Sequence, residues 1–216
     1  MSRNFCAEWR KICKQISCKA VRRALCGVAL SLLIVFYAFY IVKLLILNRK
    51  SIQTNQAGKG NKPKKVLATE RIMSIAAVSA LIAQIVSIFS ADLCSSATLK
   101  CIGLIAGIGS VFFFGSAVVS MKDSWRVGIP EEKTELITDG IYKFSRNPAF
   151  VGFDLTYICT LLVFPNIPLL ILSVWSAVML HFQILREEEF MLGTFGKDYC
   201  DYKKHVSRYF GRYYKS

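Results

Sequence analysis

The sequence predicts an all-α, polytopic membrane protein. It has about five transmembrane or re-entrant helices, a C-terminal helical hairpin and a pocket at the cytoplasmic face. Three observations predict this. Apolar residues make up 54% of the 216-residue chain and the mean hydropathy is +0.41, which suits a small multi-span protein better than a soluble domain. The apolar residues gather into runs long enough to cross or enter a bilayer, and the stretches between them are basic. Two charged clusters, Tyr142-Lys143-Phe144-Ser145-Arg146-Asn147-Pro148 and Arg186-Glu187-Glu188-Glu189, flank the last pair of apolar runs on one side. Charged groups near hydrocarbon are costly and are rarely kept there without a task.

Residues 4–23 read as a basic amphipathic helix in the headgroup region, with Phe5, Trp9, Ile12 and Ile16 on one face. No small-residue cleavage pattern follows the apolar run, so a removed signal peptide is not expected. Ala24 to Leu47 is the first apolar segment, and residues 48–69 are a polar linker. Ile72 to Ala91 and Leu99 to Met121 are the second and third. Gly103 and Gly107 have the small-xxx-small spacing that lets helices approach closely. A polar stretch from Lys122 to Arg146 follows, and long loops of this kind are often functional. Ala149 to Phe164 and Leu169 to Leu185 then form a hairpin about Pro165-Asn166-Ile167-Pro168. Residues 187–206 keep a helical pattern interrupted by Gly193 and Gly196. This divides the chain into an N-terminal part, 1–68, and a membrane core, 69–216.

The net charge of +14 collects in residues 1–23, residues 48–71 and the tail. Such clusters beside apolar spans face the cytoplasm and anionic lipid headgroups, so membrane lipids rather than nucleic acid are the expected partners. With the linker, the 122–148 loop and the tail inside, a first segment that spans fully leaves the basic N-terminus outside. That segment therefore reads as spanning or re-entrant. The eight cysteines lack the two-residue spacing of a zinc knuckle or redox motif and read as reduced, packed thiols, and no metal is expected.

The run from Leu136 to Gly152, through Thr138, Gly140, Tyr142, Arg146, Asn147, Pro148 and Phe150, resembles the first signature of the isoprenylcysteine carboxyl methyltransferase and phospholipid methyltransferase superfamily. Glu187, Glu188, Phe195, Gly196, Tyr199 and Tyr202 resemble the second, and Val206 and Arg208 the closing V-x-R. Ile141, Asn147, Phe150 and Met191 stand where the family often has proline, histidine, tyrosine and leucine. Two signatures in order, separated by a helical hairpin, are more specific than either alone.

The resemblance implies methyl transfer from S-adenosylmethionine to a lipid-soluble or lipidated acceptor: an isoprenylcysteine-like carboxylate, a lipid amine or a thiol. It implies Arg146, Glu187 and Glu188 as catalytic residues. It implies cofactor contacts from Tyr142, Asn147, Pro148, Phe150, Gly152, His181, Arg186, Tyr199 and Tyr202. The chemistry is compatible: arginine clamps a carboxylate bidentately, glutamate pairs with ammonium or hydroxyl groups, and aromatic rings attract a sulfonium. Each residue also has a plainer reading. Arg146 is a snorkelling interface residue, Asn147-Pro148 a helix start, Glu187 and Glu188 a solvated helix face, and the tail tyrosines an aromatic belt. His181 reads equally as a structural histidine, and Asp154 as a hydrated acid or a functional one. The rival functions are an NADPH-dependent sterol-type reductase and a non-enzymatic membrane scaffold.

Overall fold

The computed structural model describes residues 2–52, 54–90, 95–129 and 135–211, with the backbone alone for residues 2–18. The described residues form six α-helices: α1 (Ser2–Arg49), α2 (Lys64–Ser90), α3 (Ala97–Ser120), α4 (Pro148–Val163), α5 (Ile167–Phe195) and α6 (Lys197–His205). Among the described residues, four helices are long and apolar enough to cross a membrane, and α4 is a shorter apolar one. This is the helix complement of an integral membrane protein. Ile105, Ile108, Phe112 and Ile171 point outward, as expected of side chains whose solvent is lipid.

The first helix departs from expectation. No break separates residues 4–23 from the following apolar run; one helix runs from Ser2 to Arg49. Neither proline nor a paired glycine occurs at the expected junction, and an isolated glycine, Gly27, is tolerated within a helix. The proposed apolar face of Phe5, Trp9, Ile12 and Ile16 lies outside the described side chains. The first apolar segment traverses the whole bundle. At one end Cys26 Sγ donates to Ile88 O (3.1 Å) and Arg22 reaches Phe89 O; at the other, Leu47 packs with Trp125 and Phe114.

Small residues set the contact between α3 and α4. A Cβ on Gly103 would lie 2.9 Å from Val163 and 3.0 Å from the Cys159 carbonyl, and one on Gly107 would meet Cys159 Sγ at 2.7 Å. Gly152 of α4 returns the contact against Phe114. Buried polar bonds join the remaining helices. Gln84 Nε2 of α2 donates to Thr156 O and Thr160 Oγ1 of α4, and Tyr157 OH meets Ser176 Oγ of α5 at 2.8 Å. At the hairpin tip, Asn166 caps α5 by accepting from Leu169 N.

Helix lengths position the site. The 16 residues of α4 rise about 24 Å. Climbing α5 by the same amount from Ile167 brings the chain level with Pro148 just before Gln183. The next turns of α5 carry Glu187 and Glu188, because the helix continues to Phe195 instead of ending near Leu185. Gly193 does not interrupt it; Gly196, at φ +50°, does.

Candidate active site

The turn before α4 and the C-terminal segment after α6 are laced together by their backbones. Arg146 N donates to Ser207 O (3.1 Å) and Gly211 N to Phe144 O (2.9 Å), while Ser207 N donates to Gly211 O (2.9 Å) within the C-terminal segment. Ser145 Oγ and Asn147 Nδ2 both donate to Arg208 O. These bonds bring two segments that are remote in sequence to one point.

At that point two arginines enclose one carboxylate. Arg146 Nη2 lies 3.2 Å from Glu188 Oε1, and Arg208 grips both Glu188 oxygens through Nε (3.0 Å) and Nη2 (2.8 Å). The side chains of Arg146 and Glu188 are 7% and 9% exposed, so this is a buried charge cluster and not a solvated helix face. Arg146 Nη1 donates to Tyr199 OH at 3.4 Å, and its guanidinium stands 6.0 Å from the Tyr199 ring centre. Tyr202 OH donates to Tyr142 O at 2.7 Å, holding α6 against the 3₁₀ turn Gly140–Lys143. Burial pushes the Tyr199 phenol up to about 12, so it remains a neutral donor at ordinary pH.

Arg146 and Glu188 of this cluster line a cavity of about 550 Å³. Arg126, Glu135, Arg146, Glu187, Glu188 and Tyr199 are among its polar lining, while Met73, Val78, Leu81, Phe153 and Leu180 supply apolar wall. The volume is within the range of small-molecule sites, and a few convergent polar groups on an apolar wall are what such sites share.

Eight of the expected site residues line the cavity: Tyr142, Arg146, Asn147, Phe150, Glu187, Glu188, Tyr199 and Tyr202. Four do not. Pro148 is the first residue of α4, and Gly152 is packed under Phe114. His181 Nδ1 is hydrogen-bonded to Tyr209 OH and its ring stacks on that tyrosine, a contact that seats the C-terminal segment on α5. Arg186 faces away and pairs with Glu189 on the surface, at the (i, i+3) spacing of a solvated helix. Asp154 is also outside the lining, with a buried Oδ1 that has no hydrogen-bond partner among the described residues.

Sequence reasoning missed part of the site. Arg208 was matched only as the end of a signature, yet it supplies two bonds to Glu188. Tyr37, Tyr40 and Ile41 of α1, Asn55 and Ala57 of the linker, and Trp125 to Gly128 also line the cavity. A periodic apolar helix reads as a span whether or not it faces a ligand, so α1 gave no signal. Trp125 packs edge-on against Phe114 while also lining the cavity.

Comparison with known proteins follows the same geometry. The phospholipid methyltransferase family model matches residues 98–198, from the start of α3 into α6. A protein-S-isoprenylcysteine O-methyltransferase of Dictyostelium discoideum is 35% identical over 83 residues, covering 36% of this chain and 35% of that relative. One of Tribolium castaneum is 37% identical over 73 residues, covering 33% of this chain and 26% of that relative. The aligned stretch is thus well under half the length of either relative. The matched residues hold α4, α5, Arg146, Glu187, Glu188 and most of α3, and over them the chain matches the phospholipid methyltransferase family.

Proposed function

We propose that this protein transfers a methyl group from S-adenosylmethionine to an acceptor dissolved in the bilayer, at the cytoplasmic face. The observation that carries the reading is the buried Arg146–Glu188 pair, gripped also by Arg208, in the wall of a cavity that is largely apolar. The residues fit the cofactor. Arg146 Nε is a buried donor with no hydrogen-bond partner among the described residues, as suits a guanidinium kept for a carboxylate. Glu187, which lines the cavity and accepts only from the Gln183 amide among the bonds described, suits an ammonium or hydroxyl group.

S-adenosylmethionine supplies, when bound, a methyl group on a positively charged sulfur. The chain supplies position and a dry, charged enclosure, which is most of what an in-line displacement requires. Glu188 is committed to two arginines, so its role is to hold Arg146 in one orientation. Glu187 has no ion pair among those described and takes only the Gln183 amide, which leaves it as the carboxylate available to a cationic group or a departing proton. Tyr199, Tyr202 and Phe150 offer aromatic surface to the adenine and the sulfonium. The apolar wall admits a lipid-soluble acceptor and excludes water. Lys50, Lys62, Lys64, Lys65 and Arg71 at this end of the bundle support a cytoplasmic orientation.

The test is calorimetric titration of the purified protein in detergent with S-adenosylmethionine, with S-adenosylhomocysteine and with NADPH, without added metal. Saturable binding of the first two is expected. A response to NADPH alone would replace this reading with a membrane reductase.

A further inference from the structure

Glu70, in the first turns of α2, is fully buried and lies outside residues 98–198, which the phospholipid methyltransferase family model matches. Its carboxylate accepts from Gly58 N (2.6 Å), from Ile129 N (2.7 Å) and from Lys62 Nζ at both oxygens (3.0 and 2.9 Å). Lys62, with a side chain only 6% exposed, also donates to Gln56 O at 2.7 Å. A buried ion pair is weak evidence for stability by itself, because desolvation offsets much of the attraction. What this pair joins is more informative. Gly58, Gln56 and Lys62 belong to the linker between α1 and α2; Ile129 belongs to the loop after α3.

The two segments also pair directly. Gln56 N donates to Val127 O and Val127 N to Thr54 O, a parallel bridge centred on Asn55 and Val127. Gly128, at φ +84°, makes the approach possible: a Cβ there would stand 2.8 Å from Ala57 Cα and 2.9 Å from both Ala57 N and Glu70 Oε1. Asn55 and Ala57 on one segment, and Trp125 to Gly128 on the other, line the same cavity as Arg146 and Glu187. Glu187 lies within electrostatic reach of both Glu70 and Lys62.

We propose that Glu70 is a positioning residue for methyl transfer: through Lys62, Gly58 and Ile129 it fastens the linker to the loop as a single wall of the cavity, and so sets how tightly the cavity holds its ligands. Residues 54–62 thereby serve the site although they lie outside the matched region. The proposal rests on the methyltransferase reading, and its test separates the two.

S-adenosylhomocysteine is titrated against the full-length protein in one detergent, and the unliganded thermal midpoint is measured for each variant. Glu70→Gln turns one acceptor into a donor facing a backbone N–H and strands Lys62. Gly128→Ala keeps every charged group but wedges the loop off Ala57. Ile88→Ala, in the core at the other end of the bundle, is the control for general loosening. Glu70→Gln and Gly128→Ala are expected to weaken binding at least tenfold, while Ile88→Ala lowers the midpoint and leaves affinity unchanged. If Glu70→Gln does not fold, Gly128→Ala decides alone. Wild-type affinity in a folded Gly128→Ala protein overturns the proposal, as does an equal loss in Ile88→Ala; both leave the methyltransferase reading standing. Absence of binding by the wild-type protein removes that reading and the proposal together.

Discussion

Arg146 and Glu188 meet at 3.2 Å across the open end of the last helical hairpin, one just before its first helix and the other beyond the apolar part of its second. Their meeting is a consequence of helix length: α5 outruns α4, and the excess carries Glu188 up to Arg146. Replacing Glu188 with alanine strands the buried Arg146 and leaves Arg208 unpaired. A loss on the order of 3–5 kcal/mol is expected, as for other broken buried pairs. Denaturation in detergent should show the protein markedly destabilised, and S-adenosylhomocysteine binding should vanish.

Arg186→Ala provides the contrast. Its partner Glu189 is 72% exposed, and neither lines the cavity. The change should shift stability by less than about 1 kcal/mol and leave methyl transfer near the wild-type rate. A folded but inactive Arg186→Ala protein would return Arg186 to the site.

Gly152→Ala tests packing against ligand contact at a signature glycine. The added Cβ would stand 2.8 Å from Phe114 Cβ and 3.1 Å from its backbone nitrogen, and backbone does not yield cheaply. Overpacking of this kind costs about 1–3 kcal/mol. The thermal midpoint should fall, while the affinity of the remaining folded protein for S-adenosylhomocysteine should be unchanged.

The site tyrosines predict a loss of stability in alkali. Burial, with the Glu188 carboxylate acting in the same direction, pushes Tyr199 from its ordinary 10.0 up to about 12. Tyr142 and Tyr202 are also pushed up, chiefly by burial. The unfolded chain ionises these phenols from about pH 10, and the folded chain does so only later. Their contribution is therefore complete below the unfolded value and is lost as pH rises through the folded one. Thermal midpoints measured upward from neutral pH should hold until about pH 10 and then decline. Tyr199→Phe should make that decline shallower.

Removing residues 1–23 should spare cofactor binding. Among the described side chains, the cavity lining on α1 begins at Tyr37, more than a full turn beyond the deletion. Each basic residue near an anionic surface contributes on the order of 1 kcal/mol, so weaker association with anionic vesicles is the expected loss. Folded, truncated protein that no longer binds S-adenosylhomocysteine would make the N-terminal helix part of the site.

Much of this architecture was legible because apolar runs and charge clusters report the bilayer directly. The five apolar segments, the hairpin turn at Asn166 and the close contact at Gly103 and Gly107 all follow from residue type and spacing. The Arg146–Glu188 pairing was legible only as two signatures; neither cluster states that the two face each other. Glu70 was illegible for a different reason. A single glutamate among Lys64, Lys65 and Arg71 reads as part of a solvated helix start, and the two backbone N–H groups that it satisfies come from turns whose proximity no periodicity records. Arg186 and Glu188 show the same ambiguity in reverse. Both belong to one charged run, and a rotation of two residues about α5 puts one on the surface and the other in the site.

The shortness of α4 has a consequence for the membrane around it. A helix rising about 24 Å cannot match a hydrocarbon core of about 30 Å. The bilayer must thin beside α4, or polar groups at one end of it must sink below the headgroups, and each costs fractions of a kcal/mol per ångström. The end that holds Arg146 is already closed by its own ion pairs and backbone bonds, so it can sit deep at little further cost. Mismatch at α4 would then lower the charged cavity to the level where acyl chains begin, and a lipid-borne methyl acceptor would meet it by sideways diffusion without leaving the bilayer. Turnover should in that case vary with acyl-chain length in reconstituted membranes, while affinity for the water-soluble methyl donor should not.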